Sequence, residues 1–368
     1  MFYRYNEIVK KWDVIISGAG IIGISLALEL RRRGASVLVL DRGEPGGEAS
    51  SAAAGMLADA DPETPKQLRL LATESALRYP RFVKELEDAA AMKVDFRHGS
   101  IALLTRPQSL PGHEPLLASQ LRQMEPAVDA SSLSGYLLET ENSVNPELLM
   151  QSALRAARAA SIEIRGHTAV HGMTSAGAEV EVVADDERRL TRAAVNCQGA
   201  WAGAPVRPRK GQMLYLHPRN SKLLNRVVRA PEVYLVPRSS GKILAGATLE
   251  DAGFDKSVNP ETIAKLHRAA AAIVPELGSA TVVASWAGLR PGTPDDLPIL
   301  GRLGTSGVFI AGGHFRNGIL LAPITATIMA DLIEGRTPAA DISAFSPGRF
   351  NKSNWQLAAP PPVEIRPD

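Results

Sequence analysis

Residues 14–41, VIISGAGIIGISLALELRRRGASVLVLD, constrain the fold of this chain more than any other stretch. They open with the short β-branched run 14–16, which is typical of a buried parallel strand. A Gly-x-Gly-x-x-Gly turn at 18–23 leads into a helix that Gly34 ends, and the apolar run 37–40 follows. This order predicts a strand–helix–strand unit of a Rossmann-like α/β domain.

The glycine spacing of this unit is typical of a dinucleotide site. Gly18 makes the tight turn, Gly20 lets backbone approach a pyrophosphate, and Gly23 lets the helix pack on the strand. Asp41 ends the second strand, about 20 residues after Gly18, where a carboxylate hydrogen-bonds a ribose diol. An acid at this position favours NAD or FAD over NADP. The alternative is a strand–helix turn that binds no ligand, and the complete order of elements argues against it.

Length, charge and cysteine usage exclude several classes of protein. The chain has 368 residues, which suggests two or three domains. Its net charge is +2, and no block of like charge is longer than 31–33, so nucleic acid is not an expected partner. The single cysteine forms neither an intramolecular disulfide nor a zinc cluster, so we expect no metal site and a reducing, cytoplasmic setting. No run of about 18 apolar residues predicts a membrane span.

Two further stretches have the character of ligand-binding segments. The small residues of 48–57 allow close backbone approach to a flat or charged ligand, or they start a helix that Ser50 or Ser51 caps. Near the C-terminus, the strand 308–311 is followed by a glycine turn and a helix through 320–333. This arrangement predicts a second anion-binding helix N-terminus, although Pro323 leaves the start of that helix open.

The middle of the chain has a different pattern. Short alternating runs separated by Pro and Gly turns over 212–248 predict an antiparallel sheet in a second domain. A strand ending near Gly199 suits a further cofactor contact. Cys197 is interpreted as a packed small hydrophobe, because no histidine lies near it in sequence. Residues 288–298 are predicted to form a rigid loop in which Arg290 either anchors a carboxylate or braces the loop by pairing with Asp295 or Asp296.

Several stretches together resemble the glycine oxidase family of D-amino-acid-oxidase-like flavoproteins over about residues 12–350. They are the glycine turn, SSAAAGML at 50–57, YLVPRSSGKILAGAT at 234–248, GLRPGTPDDLPILG at 288–301 and GGHFRNGILLAP at 312–323. The resemblance implies non-covalent FAD and a second, mostly antiparallel β domain. It implies an FAD-binding domain of residues 12–85, 142–205 and 286–345 and a substrate-binding domain of residues 86–141 and 206–285. The composition of the tail at 352–368 predicts disorder.

The resemblance and the glycine spacing together assign the site residues. For the adenosine and pyrophosphate end they give Gly18, Gly20, Ile21, Ile22, Gly23, Asp41, Arg42, Val170 and Gly199. Along the pyrophosphate and flavin they give Ala49, Ser50, Ala54, Gly55 and Met56, and at the flavin's pyrimidine end His314, Phe315, Arg316, Asn317, Gly318, Ile319 and Leu320. Around the substrate they give Arg290, Tyr234, Arg316, Met56 and Leu249. The resemblance also implies that relatives have Met where Leu249 stands and a second Tyr where Arg229 stands.

The activity that the resemblance implies is amine oxidation. Hydride passes from the substrate α-carbon to the flavin, imine hydrolysis gives a keto acid and ammonia, and oxygen becomes hydrogen peroxide. The substrate would be glycine, sarcosine or a small D-amino acid, and the imine can supply thiamine thiazole synthesis. Relatives are homotetramers, so we expect a homo-oligomer. The alternatives are a D-amino-acid dehydrogenase or sarcosine oxidase of the same family, a flavin domain that modifies tRNA, and a non-catalytic nucleotide-binding protein.

Overall fold

The computed structural model describes residues 11–59, 61, 63–104, 115–129, 131 and 134–350, so the tail at 352–368 lies outside the described residues. Three sheets account for the strands in these ranges. In chain order the strands are β1 (Val14–Ser17), β2 (Val37–Leu40), β3 (Met56–Leu57), β4 (Phe96–Leu104), β5 (Pro115–Leu116), β6 (Ser134–Val144), β7 (Glu163–Arg165), β8 (Val170–Ala176), β9 (Glu179–Ala184), β10 (Arg188–Thr191), β11 (Ala193–Asn196), β12 (Arg207–His217), β13 (Val227–Arg229), β14 (Tyr234–Pro237), β15 (Ile243–Gly246), β16 (Thr281–Gly292), β17 (Ile299–Arg302) and β18 (Val308–Gly312).

The first sheet contains the dinucleotide unit. Its order is β17-β18-β11-β1-β2-β7, and every pair is parallel except β17 with β18. The segments that follow β1, β2, β11 and β18 therefore meet at one edge, the carboxyl edge of the sheet. Ligands of open α/β sheets bind at this edge. The predicted Rossmann-like class is confirmed.

The second sheet has nine strands in the order β16-β12-β15-β14-β13-β4-β6-β3, with β5 also paired to β6. All its pairs are antiparallel except β13 with β4. The predicted antiparallel sheet is confirmed. A row of directly paired residues crosses it and sets much of the site: Met213, Gly246, Tyr234, Arg229 and Ala102.

The helices are α1 (Ile21–Arg32), α2 (Ala49–Ala52), α3 (Lys66–Ala90), α4 (Ala118–Met124), α5 (Pro146–Ala159), α6 (Pro260–Ile273) and α7 (Gly318–Ile333). Helix α7 is apolar on all sides and is buried against α1 and α3. None of the helices within the described ranges has the length and apolar character that a membrane crossing requires.

Pro323 lies inside α7, which starts at Gly318. A proline has no N–H to donate to the carbonyl four residues earlier, here that of Ile319. The Tyr79 hydroxyl of α3 donates to that carbonyl at 2.9 Å, so the helix continues through the proline without a buried unpaired oxygen. The start of α7 could not be predicted from the local sequence, because the hydroxyl that replaces the missing donor belongs to Tyr79, far away in the chain.

The prediction of a loop at 288–298 is wrong for residues 288–292, which belong to a strand. Strand β16 continues to Gly292, and Arg290 pairs with Arg209 of β12. Pro291 is tolerated because β16 is the edge strand of the nine-stranded sheet, where a missing N–H leaves no ladder bond unmade. Arg290 is thus held by a strand. The third sheet consists of the antiparallel strands β8, β9 and β10.

Candidate active site

One cavity of about 570 Å³ runs from the carboxyl edge of the six-stranded sheet to the face of the nine-stranded sheet. Residues that follow three parallel strands line its first end, including Gly18, Asp41 and Gln198. Tyr234 and Arg290 of the second sheet line its other end. The fold therefore joins the dinucleotide turn and the predicted substrate residues in one space.

The glycine turn is packed too closely for side chains. Gly18 has φ +109°, and a Cβ there would lie 2.2 Å from the Cys197 carbonyl oxygen. A Cβ on Gly23 would lie 1.9 Å from the Gly18 oxygen. Both predictions, a tight turn at Gly18 and close helix–strand packing at Gly23, are confirmed. Gly23 itself does not line the cavity.

Asp41 is largely buried at the end of β2. Its Oδ2 accepts a hydrogen bond from the Ala19 N–H at 2.6 Å, and its Oδ1 accepts from the Gly43 N–H at 2.9 Å. Burial raises the pKa of Asp41, and these two hydrogen bonds oppose the rise. The carboxylate both braces the turn and lines the cavity.

Arg42 has an orphaned nitrogen beside the same end of the cavity. Its guanidinium lies 4.5 Å from the centroid of the Trp201 ring, and within the described residues its buried Nη1 has no hydrogen-bond partner. A buried guanidinium nitrogen without an acceptor is costly unless a ligand supplies one. The pyrophosphate or adenosine oxygens of a dinucleotide have the required chemistry.

Ser50 lies in α2, but its side chain caps the neighbouring helix α1. Its Oγ accepts a hydrogen bond from the N–H of Ile21, the first residue of α1, at 2.9 Å. Neither Ser50 nor Ser51 caps α2, whose N-cap is Glu48, so that alternative is wrong. The other N–H groups of the first turn of α1 have no partners within the helix and face the anion-binding position.

The loop after β18 forms the third part of the cavity wall. His314 is buried there, its Nε2 lies 3.1 Å from Thr325 Oγ1, and burial lowers the pKa of the ring to about 3. The imidazole is therefore neutral at physiological pH. Phe315, Arg316 and the start of α7 continue the wall.

Arg290 and Tyr234 stand together at the far end. The Arg290 Nη1 donates to the Thr248 carbonyl at 3.1 Å, and the guanidinium contacts Tyr234, whose pKa is raised by burial. Asp295 pairs with Arg349 at 2.8 Å, so it does not hold Arg290. The loop brace through Asp295 is thus contradicted, no ion pair joins Arg290 to Asp296 in the described part of the chain, and Arg290 lines the cavity.

Arg229 lies beside Tyr234 in the paired row. Its Nη1 is 3.4 Å from Asp61 and its Nη2 is 3.2 Å from Glu141. The guanidinium is thus neutralised by carboxylates on two sides. Leu249 also lines the cavity, with 42 % of its surface exposed.

Most predicted site residues line this cavity. The exceptions are Gly23, in the turn packing, and Leu320, whose side chain is in the core and whose carbonyl accepts a bond from Ser75. Sequence reasoning missed lining residues that local pattern does not mark: Glu63, Ala102, Gln198, Trp201, Met213 and Ala247. Met213 and Ala102 reach the cavity wall because of the way their strands pair in the nine-stranded sheet, which the local sequence does not indicate.

Comparison with known proteins gives the family. The model of the FAD dependent oxidoreductase family, DAO, matches residues 13–332. The chain belongs to this family. The sequence is 34% identical to the bifunctional protein ThiO/ThiG of Trichormus variabilis. The match covers 92% of this chain and 55% of that protein. The chain is 32% identical to the glycine oxidase of Pseudomonas aeruginosa over 91% of its length and 98% of that enzyme.

Solved structures give the same result. The crystal structure of glycine oxidase from Geobacillus kaustophilus superposes with a TM-score of 0.88 at 30% identity, and covers 93% of this chain and 99% of that one. The chain spans about half the length of the bifunctional curated relatives that it matches.

FAD, the cofactor of this family, fits the residues present. The Gly18 position has no room for a Cβ, the Arg42 Nη1 has no protein acceptor, and the cavity extends from Asp41 to Tyr234. Asp41 and Arg42 would hold the adenosine end, and the N-terminus of α1 would hold the pyrophosphate. Ala54, Gly55, Met56 and the His314 loop would contact the flavin.

We expect the purified oxidoreductase to be yellow and to release its flavin on acid precipitation. The sole cysteine, Cys197, is buried beside Gly18, and burial raises the pKa of its thiol to about 12. It therefore has little thiolate and lies at the glycine-turn end of the cavity, away from Tyr234 and Arg290. The measurement is the absorbance of the supernatant after acid treatment. Flavin that stays in the pellet would show a covalent link.

Proposed function

We propose that this protein is an FAD-dependent oxidase that deaminates glycine and other small amines bearing a carboxylate. The products would be a keto acid, ammonia and hydrogen peroxide. The observation that supports this function best is the continuity of the cavity, which joins the dinucleotide turn to the Arg290–Tyr234 pair. Similarity to glycine oxidases over almost the whole chain supports the same conclusion.

In this proposal the protein binds and orients, and bound FAD supplies the redox chemistry by accepting a hydride equivalent and passing electrons to oxygen. Arg290 binds the substrate carboxylate through two parallel hydrogen bonds, which fixes the plane of that group. Tyr234, kept in its neutral form by burial, offers a hydroxyl beside the same carboxylate. Both side chains are held by the nine-stranded sheet, so the α-carbon is presented in one orientation.

The start of α7 has a separate electrostatic role. The N–H groups of its first turn, at Gly318–Ile319, lie at the positive end of the helix dipole and line the cavity. They stabilise negative charge that develops on a ligand at that wall. The neutral ring of His314 adds no charge there, and Arg316 is paired with Glu63, so the helix dipole supplies the positive potential at this wall.

The site favours very small substrates. Met56 and Tyr234 line the far end, and the ion-paired Arg229 lines the cavity beside them. We expect glycine and sarcosine to have a higher kcat/KM than D-leucine or D-phenylalanine. Initial rates of peroxide formation across this series measure the ranking. A bulky D-amino acid at the top would contradict the proposal.

One pair of assays separates the oxidase from a dehydrogenase of the same family. With glycine as substrate, an oxidase consumes oxygen and yields glyoxylate, ammonia and peroxide in equal amounts. A dehydrogenase of the same family bleaches its flavin with substrate but turns over only with an added electron acceptor.

We further propose that the imine product supplies thiamine thiazole synthesis, because ThiO/ThiG proteins are among the relatives. We also propose that the protein is a cytoplasmic homo-oligomer.

A further inference from the structure

Arg238 is a buried arginine whose hydrogen bonds all go to backbone. It follows β14 and is only 4% exposed. Its Nη1 donates to the Val144 carbonyl at 3.1 Å, and its Nη2 donates to the Ala54 carbonyl at 2.7 Å. Among the described residues no carboxylate oxygen lies within 4.0 Å of its nitrogens. A buried positive charge without a carboxylate partner calls for an explanation, because it costs stability.

The Val144 carbonyl is the position where the β3–β6 ladder stops. Val144 donates its N–H to the Gly55 carbonyl at 2.8 Å, and a regular antiparallel pair would return a bond from the Gly55 N–H to the Val144 oxygen. Gly55 instead has φ +79°, and a Cβ there would lie 1.9 Å from that oxygen. Arg238 Nη1 takes the place of the missing donor. In the part of the chain described, the Gly55 N–H donates to no protein atom.

The second bond of Arg238 fixes where this N–H points. The Ala54 carbonyl and the Gly55 N–H belong to one planar trans peptide, so they point in opposite directions. Arg238 Nη2 draws the carbonyl toward the sheet. The N–H is therefore directed to the other side, and Ala54, Gly55 and Met56 all line the cavity.

We propose that Arg238 is a positioning residue that aims the Gly55 N–H at an acceptor atom of the flavin ring and places a positive charge behind that peptide. The charge polarises the peptide, so its N–H end becomes a stronger donor toward the cavity. A reduced flavin carries more negative charge than an oxidised one, so Arg238 favours the reduced form. This proposal depends on flavin binding in the cavity and not on which amine is oxidised.

The test compares the Arg238→Met protein with wild type in two measurements that do not use turnover. Titration of the apoprotein with FAD should show a dissociation constant roughly 2–10-fold higher, because the neutral Gly55 N–H is no longer held toward its acceptor on the flavin. Spectroelectrochemistry should show a lower midpoint potential. A tenfold weaker two-electron reduction equilibrium corresponds to a shift of about 30 mV.

Arg189→Met is the matched control. Arg189 is also buried, at 5% exposure, but it lies in the three-stranded sheet and pairs with Asp186 and Glu187. Its loss should lower the melting temperature and leave FAD affinity and potential unchanged. If Arg238→Met behaves in the same way, Arg238 is only a brace between sheets and the proposal is overturned.

Arg238→Lys decides the matter if the methionine protein does not fold. Lysine keeps the charge but cannot hold two carbonyls in a rigid fork. We expect faster hydrogen–deuterium exchange than wild type in residues 53–57 of the holoenzyme, together with a flavin midpoint potential below that of wild type. Wild-type exchange in this segment together with a wild-type potential would overturn the proposal.

Discussion

Replacing Arg290 by lysine is expected to raise the Michaelis constant for glycine by roughly 10–1000-fold, while the protein keeps its fold and its FAD. A guanidinium binds a carboxylate through two parallel hydrogen bonds, which an ammonium cannot reproduce. Glycine has no side chain, so its carboxylate and amine are the only groups that orient it. The loss of about 1.5–4 kcal/mol at one of these groups gives the expected range.

The surroundings of Arg290 provide an independent test. The guanidinium lies against Gly211, where a Cβ would be 2.1 Å from Arg290 Nη1. Gly211→Ala should therefore displace the fork and raise the Michaelis constant without removing the charge. Gly172→Ala is the control, because the nearest atom to a Cβ on this strand glycine is 3.9 Å away. The Michaelis constant of Gly172→Ala for glycine should equal that of wild type.

Steady-state kinetics with glycine and thermal melting of the holoproteins show whether Arg290 binds the substrate or supports the structure. A normal Michaelis constant and a lowered melting temperature for Arg290→Lys would show that Arg290 only supports β16. Arg316 would then become the first alternative anchor to test. It also lines the cavity, but it is half exposed and already paired with Glu63.

The parts of the fold that local sequence determines were predicted well. The glycine spacing at 18–23 requires one turn geometry, and the apolar runs on either side of it have no polar face to expose, so the parallel unit follows. Two helix starts show a local signal of the same kind, because Asn145 and Asn259 each precede a proline and cap the helix that follows through their side chains. Such signals need no partner elsewhere in the chain.

The parts that depend on distant contacts were not predicted. Arg290 was assigned to a loop because its proline and glycines suggest turns, and only the position of β16 at a sheet edge makes a strand possible. Ser50 was weighed as a cap of its own helix, but it caps α1, which begins 29 residues earlier. Arg229 gave no sign of its partner Glu141, because pairing across the chain leaves no local pattern.

Replacing Asp41 by alanine is expected to raise the dissociation constant of FAD by roughly 10–100-fold, because a charge-assisted hydrogen bond to the ribose is lost. The structure adds a second effect. Asp41 also accepts hydrogen bonds from the Ala19 and Gly43 N–H groups, so the apoprotein should melt at a lower temperature. Holoenzyme that retains FAD should keep its kcat, since Asp41 lies at the end of the cavity away from Arg290.

The pH dependence of FAD binding isolates the charge of Asp41. Burial raises its pKa, so on acidification it takes up its proton at a higher pH than an ordinary aspartate, whose pKa is about 4. The ribose diol binds to the ionised form, so affinity should be full above the raised pKa and should fall as the pH drops through it. Asp41→Asn keeps the size but not the charge, so its weaker binding should lack this pH step. If alanine and asparagine variants bind FAD as tightly as wild type at every pH and lose only melting temperature, Asp41 supports the turn and does not bind the ribose.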